Sequence, residues 1–203
     1  MKKIIVILAA LVSVAANAQT TQGQLFAGGN LGFSSTNFES AKDVKNTSFS
    51  IVPEIGYFVA DNLAVGLGIG YGMGKVTRPT ASVTTETTSS VFVISPFVTY
   101  FVATAGDKFF FTPQFRAGFN LGNQKIRETY GTFDQTVTAK TQNIDIAVSP
   151  GFTYFPSDNW ALDFRIRGLY YNMNNPEGGN NNNSTVGLDV SSLRPTIGIN
   201  YFF

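Results

Sequence analysis

From Leu63 to Tyr71 every second residue is bulky and apolar, and the residues between are small: Leu63, Val65, Leu67, Ile69 and Tyr71 alternate with Ala64, Gly66, Gly68 and Gly70. A period of two sends successive side chains to opposite faces of a β-strand. The same alternation recurs near 25–33, 49–59, 92–102, 109–121, 144–154, 160–170 and 193–203, so eight strands are predicted. A repeated Pro-x-x-x-Tyr-Phe ties them into hairpins: PEIGYF at 53–58, PFVTYF at 96–101 and PGFTYF at 150–155, spaced 43 and 54 residues apart, with a stretched copy at 195–202. Two copies run into similar turns, VADNL at 59–63 and PSDNW at 156–160, and the third into the small, polar stretch 103–108. The repeating unit is a hairpin, and four of them make an eight-stranded set of the length a small barrel needs.

The two faces differ in kind. One carries Leu25, Leu31 and Phe33; Phe49, Ile51, Ile55 and Tyr57; Leu63 to Tyr71 at odd positions; Phe92, Ile94, Val98 and Tyr100; Phe109, Phe111, Phe115 and Phe119; Ile144, Ile146, Val148, Phe152 and Tyr154; Trp160, Leu162, Phe164 and Ile166; and Ile197, Ile199, Tyr201 and Phe203. The other carries the strand charges Glu54, Arg116, Asp145, Asp163, Arg165, Arg167 and Arg194, the polar Gln114, Asn120 and Asn200, and the glycines 66, 68, 70 and 72. An arginine facing lipid near the midplane would cost about 2–4 kcal/mol. The sorting therefore reads as apolar outward to lipid and charge inward, in an all-β, transmembrane, antiparallel up-and-down barrel. The glycines leave room for long Arg and Phe side chains, which points to a filled lumen. A soluble lipocalin-like barrel shares the strand count but needs the reverse polarity, with apolar residues inside.

Composition sharpens this picture. Lys2 and Lys3 precede an apolar run from Ile4 to Ala16 and the small-residue site Ala16-Asn17-Ala18, so residues 1–18 read as a cleaved signal peptide and 19–203 as the barrel domain. Cleavage lowers the basic residues from 14 to 12 against 13 acidic ones, and a near-neutral chain gives no reason to expect a nucleic-acid partner. There is no Cys, which excludes disulfides, a thiol nucleophile, a thiolate metal site and a lipidated cysteine, and no His. No later run is long and apolar enough to cross a membrane as a helix.

Tyr57, Tyr100, Tyr154 and Trp160 flank the short turns and read as one interfacial aromatic girdle on the periplasmic side. The longer connections near 34–48, 74–91, 122–143 and 171–192, rich in Thr, Ser, Asn and Gly, are then extracellular loops, with the low-complexity run Asn180 to Asn183 among them. Taken with the terminal Phe203 and the leader, these hairpins resemble the small eight-stranded outer-membrane β-barrels, the OmpA/OmpX-like group common in Bacteroidota. The resemblance spans the whole mature chain and specifies fold far better than activity. It implies a monomer of the Gram-negative outer membrane, surrounded by membrane lipid and lipopolysaccharide. It implies insertion by the outer-membrane assembly machinery, which reads a last strand such as Ile197, Ile199, Tyr201 and Phe203, and no cofactor. An OmpA-type peptidoglycan-binding domain has no counterpart in the sequence.

The inward charges are the one constellation with chemistry. A tight turn at Ser157-Asp158 makes Asp145 and Arg167 diagonal inward neighbours, with Asp163 and Arg165 lower on the same wall, so a paired network filling the lumen is expected. The competing reading makes Arg116, Arg165, Arg167 and Arg194 an anion-favouring constriction. Enzymes fare poorly: the acyltransferases and deacylases that resemble this fold use a histidine, and a Ser-His-Asp arrangement is impossible here. Asp145 and Asp163, beside arginines, are expected to stay ionised and structural. No carboxylate loop of the calcium-binding kind is present, and Gly28-Gly29-x-x-Gly32 is not followed by a helix as phosphate binding would require. The expected role is structural or interactive, through the extracellular loops, with a narrow channel or an OmpW-like lateral conduit as the alternative.

Overall fold

The computed structural model describes residues 20–38, 44–80, 82–104, 106, 108–176, 183–189 and 196–203. Its strands are β1 (Leu25–Phe38), β2 (Val44–Ala60), β3 (Leu63–Pro79), β4 (Thr84–Tyr100), β5 (Val102–Ala103), β6 (Phe109–Phe111), β7 (Gln114–Tyr130), β8 (Phe133–Ser149), β9 (Gly151–Tyr154), β10 (Trp160–Arg165), β11 (Gly168–Pro176), β12 (Asn183–Asp189) and β13 (Thr196–Phe202). All thirteen lie in one antiparallel, strongly curled up-and-down sheet, ordered β12-β11-β8-β7-β4-β3-β2-β1-β13-β10-β9-β6-β5.

Thirteen segments stand where the alternation predicts eight, and the interruptions are local. Only Phe101 separates β4 from β5, Thr112 and Pro113 separate β6 from β7, and Pro150 separates β8 from β9. Proline brings no N–H to a ladder. Register is nevertheless carried across: Thr99 opposite Gln114 continues into Val102 opposite Phe111, and Gln114 opposite Ser149 continues into Phe111 opposite Phe152. Between β10 and β11 the register slips, since Arg165 opposes Gly151 whereas Leu169 opposes Val148. Gly168, at φ 69°, absorbs the extra residue as a bulge, and the outward positions change from even (Phe164) to odd (Leu169, Tyr171).

The long polar connections also come out differently. The stretches 74–91 and 122–143 are mostly paired strand, with Lys75 opposite Thr88 and Arg127 opposite Thr136, so β3–β4 and β7–β8 are long hairpins. Likewise β1 reaches Phe38 and β2 starts at Val44, while 177–182 lies outside the described residues. The physical reason is that Thr, Val and Ile favour strands whatever surrounds them, whereas alternation fades once both faces are wet. β2, β3, β4, β7 and β8 have 17 residues each, against roughly 9–11 needed to cross a bilayer.

Burial is inverted relative to a water-soluble sheet. Outward apolar side chains such as Phe33 (74 % exposed), Ile69 (46 %) and Phe119 (47 %) are bare, and the buried apolar cluster is on the inner side: Phe26, Phe58, Ala64, Phe97, Phe101, Phe110, Phe155, Ala161 and Phe202. Glycines on that side make the space. A Cβ on Gly56 would strike the Phe26 ring, and one on Gly66 would strike the Phe97 ring and lie 2.6 Å from the Ile55 carbonyl oxygen. Gly66→Ala should therefore destabilise the fold by about 1–3 kcal/mol through overpacking. Denaturant titration of the refolded variant measures it, and an unchanged midpoint would refute the close fit.

Candidate functional site

The sheet's interior is layered, and the lowest layer is aromatic. In each Pro-x-x-x-Tyr-Phe the Tyr and Phe are adjacent, so one faces out and the other in: Tyr57, Tyr100 and Tyr154 are exposed, while Phe58, Phe101, Phe155 and Phe202 are at most 5 % exposed. Each Phe amide donates to a carbonyl from the preceding segment, Phe58 to Gln24, Phe101 to Asn62, Phe155 to Lys108 and Phe202 to Asn159, at 2.7–2.9 Å. The four rings interlock with Phe26, Phe97 and Phe110, for example Phe155 on Phe202 at 4.9 Å and Phe58 on Phe101 at 5.2 Å between centroids. This aromatic floor was not among the sequence-derived site residues. Its sequence signal is the Phe of the repeat, one position out of phase with the girdle tyrosines.

Above the floor lie two charge pairs. Glu54 meets Arg116 at 2.8 Å, and Asp163 meets Arg165 at 2.9 Å, with every member mostly buried. Arg116 Nη1 also donates to Ser95 Oγ (2.9 Å) and its Nε to Gln114 Oε1 (3.0 Å), while its guanidinium covers the Phe97 ring at 4.9 Å. Asn30 donates to Glu54 (2.9 Å) and Thr153 Oγ1 to Asp163 (3.0 Å). Higher still, Arg167 pairs with Asp145 and stacks on Tyr170 at 3.8 Å. The side-chain amides of Asn120, Asn143 and Asn172 form a ladder across three strands, at 3.0 and 2.8 Å. Three of the four arginines considered for a constriction thus face a carboxylate, and Arg194 lies outside the described residues.

The free space follows the same layers. A cavity of about 660 Å³, lined by Asn30, Glu54, Arg116, Asn143, Asp145 and Arg167 among others, sits above the pairs. Below Glu54 only about 20 Å³ is left, between Phe26, Phe97, Gln114, Asp163 and Arg165. No cluster of three or more potential metal ligands occurs among the described residues.

The remaining predicted positions are on the outside. Tyr57, Tyr100, Tyr154 and Trp160 are 41–51 % exposed, and Trp160 meets Tyr201 edge-on at 5.1 Å. Ile197 and Ile199 are each 51 % exposed, and Phe203 donates its amide N–H to Leu25 (2.9 Å), tying the last residue to the first strand. At the far end of the β7–β8 hairpin, Arg127 and then Thr129 donate hydrogen bonds that hold the Asp134 carboxyl below the usual carboxylate range.

No curated protein matches the sequence. Among solved structures, the chain is similar to neisserial surface protein A (16 % identity, 89 % of this chain and 95 % of that one, TM-score 0.41). It is also similar to the N-terminal β-barrel domain of Pseudomonas aeruginosa OprF (16 %, 90 % and 98 %, 0.37) and to Ail, the attachment invasion locus protein of Yersinia pestis (10 %, 90 % and 100 %, 0.40). The family model for the outer membrane protein β-barrel domain matches residues 4–191. With that match over most of its length, and with an exposed apolar outer face opposite an inner face that holds charge pairs above a phenylalanine floor, the chain belongs to the outer membrane protein β-barrel family and resides in the outer membrane.

Proposed function

We propose that the thirteen segments trace eight passes of a closed barrel, and that the protein serves as a structural and surface-interacting element whose extracellular hairpins make the contacts. Closure is supported by the pairing: the two ends of the sheet order, β12 and β5, continue in the chain toward β13 and β4, which are interior members. The observation that carries the functional reading is the floor. Seven phenylalanine side chains and two neutralised charge pairs stand below the cavity, and water or ions entering from above meet an apolar seal. The long β3–β4 and β7–β8 hairpins exceed the span by six to eight residues per strand, roughly 20–25 Å of strand. Among the described residues no nucleophile in the lumen stands beside a base, and catalysis is not part of this reading. Removal of residues 1–18 as a leader, a monomeric state, and capture of the last strand by the assembly machinery complete the proposal.

Single-channel recording of the refolded chain in a planar bilayer tests it, with heat-modifiable gel migration as the folding check. A folded, electrically silent barrel is expected, together with loss of surface contacts when the hairpin tips are deleted. Stable, salt-dependent openings that change in Arg167→Ala would overturn the sealed lumen and favour a narrow channel.

A further inference from the structure

The two arginines that line the 660 Å³ cavity are used differently. Arg116 is spent: its Nε, Nη1 and Nη2 go to Gln114, Ser95 and Glu54. Arg167 gives only Nη2, to Asp145 Oδ2, while its guanidinium stacks 3.8 Å from the centre of the Tyr170 ring. Its Nε and Nη1 make no hydrogen bond among the described residues, and neither do Asp145 Oδ1 and Asn120 Oδ1. The Gly168 bulge produces this arrangement. Inward positions run Asp163, Arg165 and Arg167 before it and Tyr170 and Asn172 after it, so ring and guanidinium share one face. Without the extra residue, alternation would turn Tyr170 outward. Ser149 Oγ donates to the Arg167 carbonyl oxygen at 2.8 Å and fixes the backbone there, and a Cβ on Gly168 would strike the Val148 carbonyl oxygen.

The asparagine ladder continues the wall. Asn172 Nδ2 joins it to the charge pair, donating to Asn143 Oδ1 at 3.1 Å and to Asp145 Oδ2 at 3.2 Å. Asn120 is two residues along β7 from Gly118, which opposes Asp145, so its unused oxygen belongs to the diagonal neighbour of that carboxylate. From β7 across β8 to β11 the wall covers two strand spacings, roughly 10 Å. Among the described lining residues each arginine has its carboxylate, so a free anion or cation finds no unpaired countercharge there. What the wall leaves open is a fixed mixture of N–H donors and oxygen acceptors.

We propose that this wall binds a short, uncharged saccharide, with Arg167, Asp145 and Asn120 as the groups that meet its hydroxyls. A hydroxyl both donates and accepts. Neighbouring ring hydroxyls can therefore accept from the open edge of Arg167 and donate to Asp145 Oδ1 and Asn120 Oδ1, with both ion pairs left intact. A carboxylate or a zwitterion would instead compete with Asp145 for Arg167. The stack on Tyr170 and the amide ladder hold the polar groups in place before a ligand arrives, which lowers the cost of ordering them. Hydroxyls that reproduce the hydrogen bonds of displaced water lose little in the exchange. The cavity volume is within the roughly 300–1,000 Å³ of small-molecule sites. The inference is independent of the seal below, because binding and conductance are read in separate experiments.

The test titrates the full refolded chain, in micelles of a sugar-free amine-oxide detergent, with glucose, galactose, N-acetylglucosamine, maltose, lactose and chitobiose, read by calorimetry and saturation-transfer NMR. At least one should bind with a Kd on the order of 1 mM or tighter. Arg167→Lys keeps a cation for Asp145 but lacks the planar fork, and should weaken binding about ten-fold. Gly118→Leu should abolish it: a Cβ there meets nothing nearer than 3.5 Å, so the rest of the side chain extends into the cavity and blocks it. Both variants are first checked for heat-modifiable migration. Should Gly118→Leu fail to fold, Asn120→Ser should weaken binding roughly five-fold. Beads carrying the best disaccharide by its reducing end distinguish two sources, since retention assigns the end of a glycan chain and binding without retention assigns a dissolved sugar. No saturable binding by any of the six, or equal affinity in wild type and the folded variants, would overturn the proposal. Full competition by acetate or glycine would also overturn it, since the site would then take a charged ligand.

Discussion

Phe58→Ala should lower the stability of the folded barrel by about 3–5 kcal/mol, among the largest losses available to a single truncation. Phe58 is fully buried and touches Phe26, Phe101 and Phe202, with centroids 5.9, 5.2 and 6.2 Å away. Its amide is committed to Gln24, so the backbone around the void has little freedom to collapse into it. The loss then includes both the transfer of the ring and the void it leaves. Urea titration in vesicles, read by the heat-modifiable band, measures the change, and a loss below 1 kcal/mol would mean the floor is loosely packed. The same variant tests the seal. If the floor is what closes the lumen, removing one of its rings should raise ion leakage above that of wild type, whereas Tyr57→Ala, one residue away but outside, should leave leakage unchanged.

How far this was legible in the sequence depends on what each pattern measures. Alternation located most of the membrane-facing wall, missing Leu169 and Tyr171 beyond the Gly168 bulge, because lipid tolerates no charge there and the constraint falls on every second position. The same constraint is silent once both faces meet water, and so the hairpin extensions through Lys75, Thr88, Lys125 and Thr138 read as loops although their backbone is paired. The bulge at Gly168 was hidden for a different reason. One glycine at positive φ reverses the parity of β11, and a glycine in a strand leaves no mark of which partner it slips against. The charge network was visible as a set of inward positions. Its pairing scheme required the register, which puts Arg116 beside Glu54 from a strand 62 residues away in sequence. The Pro-x-x-x-Tyr-Phe repeat was legible as a hairpin marker, and its Tyr drew notice as an interfacial anchor. Its Phe, one step on, is the reason the motif recurs inside, since each copy contributes one ring to the floor.

The Glu54–Arg116 pair bears the second large effect. Arg116→Met keeps much of the volume but leaves the Glu54 carboxylate, only 7 % exposed, without its guanidinium and accepting from the Asn30 amide, and the expected loss is about 3–5 kcal/mol. The double variant Glu54→Gln, Arg116→Met removes the stranded charge as well and should be more stable than Arg116→Met alone, recovering on the order of 1–3 kcal/mol. Denaturant midpoints for wild type, the two single variants and the double variant close the cycle. Additive losses would mean that the two groups are screened by water in the cavity above and act independently. A strong coupling would place the pair on the dry side of the boundary between the 660 Å³ cavity and the phenylalanine floor, where a carboxylate needs its guanidinium and the wide polar space above it ends.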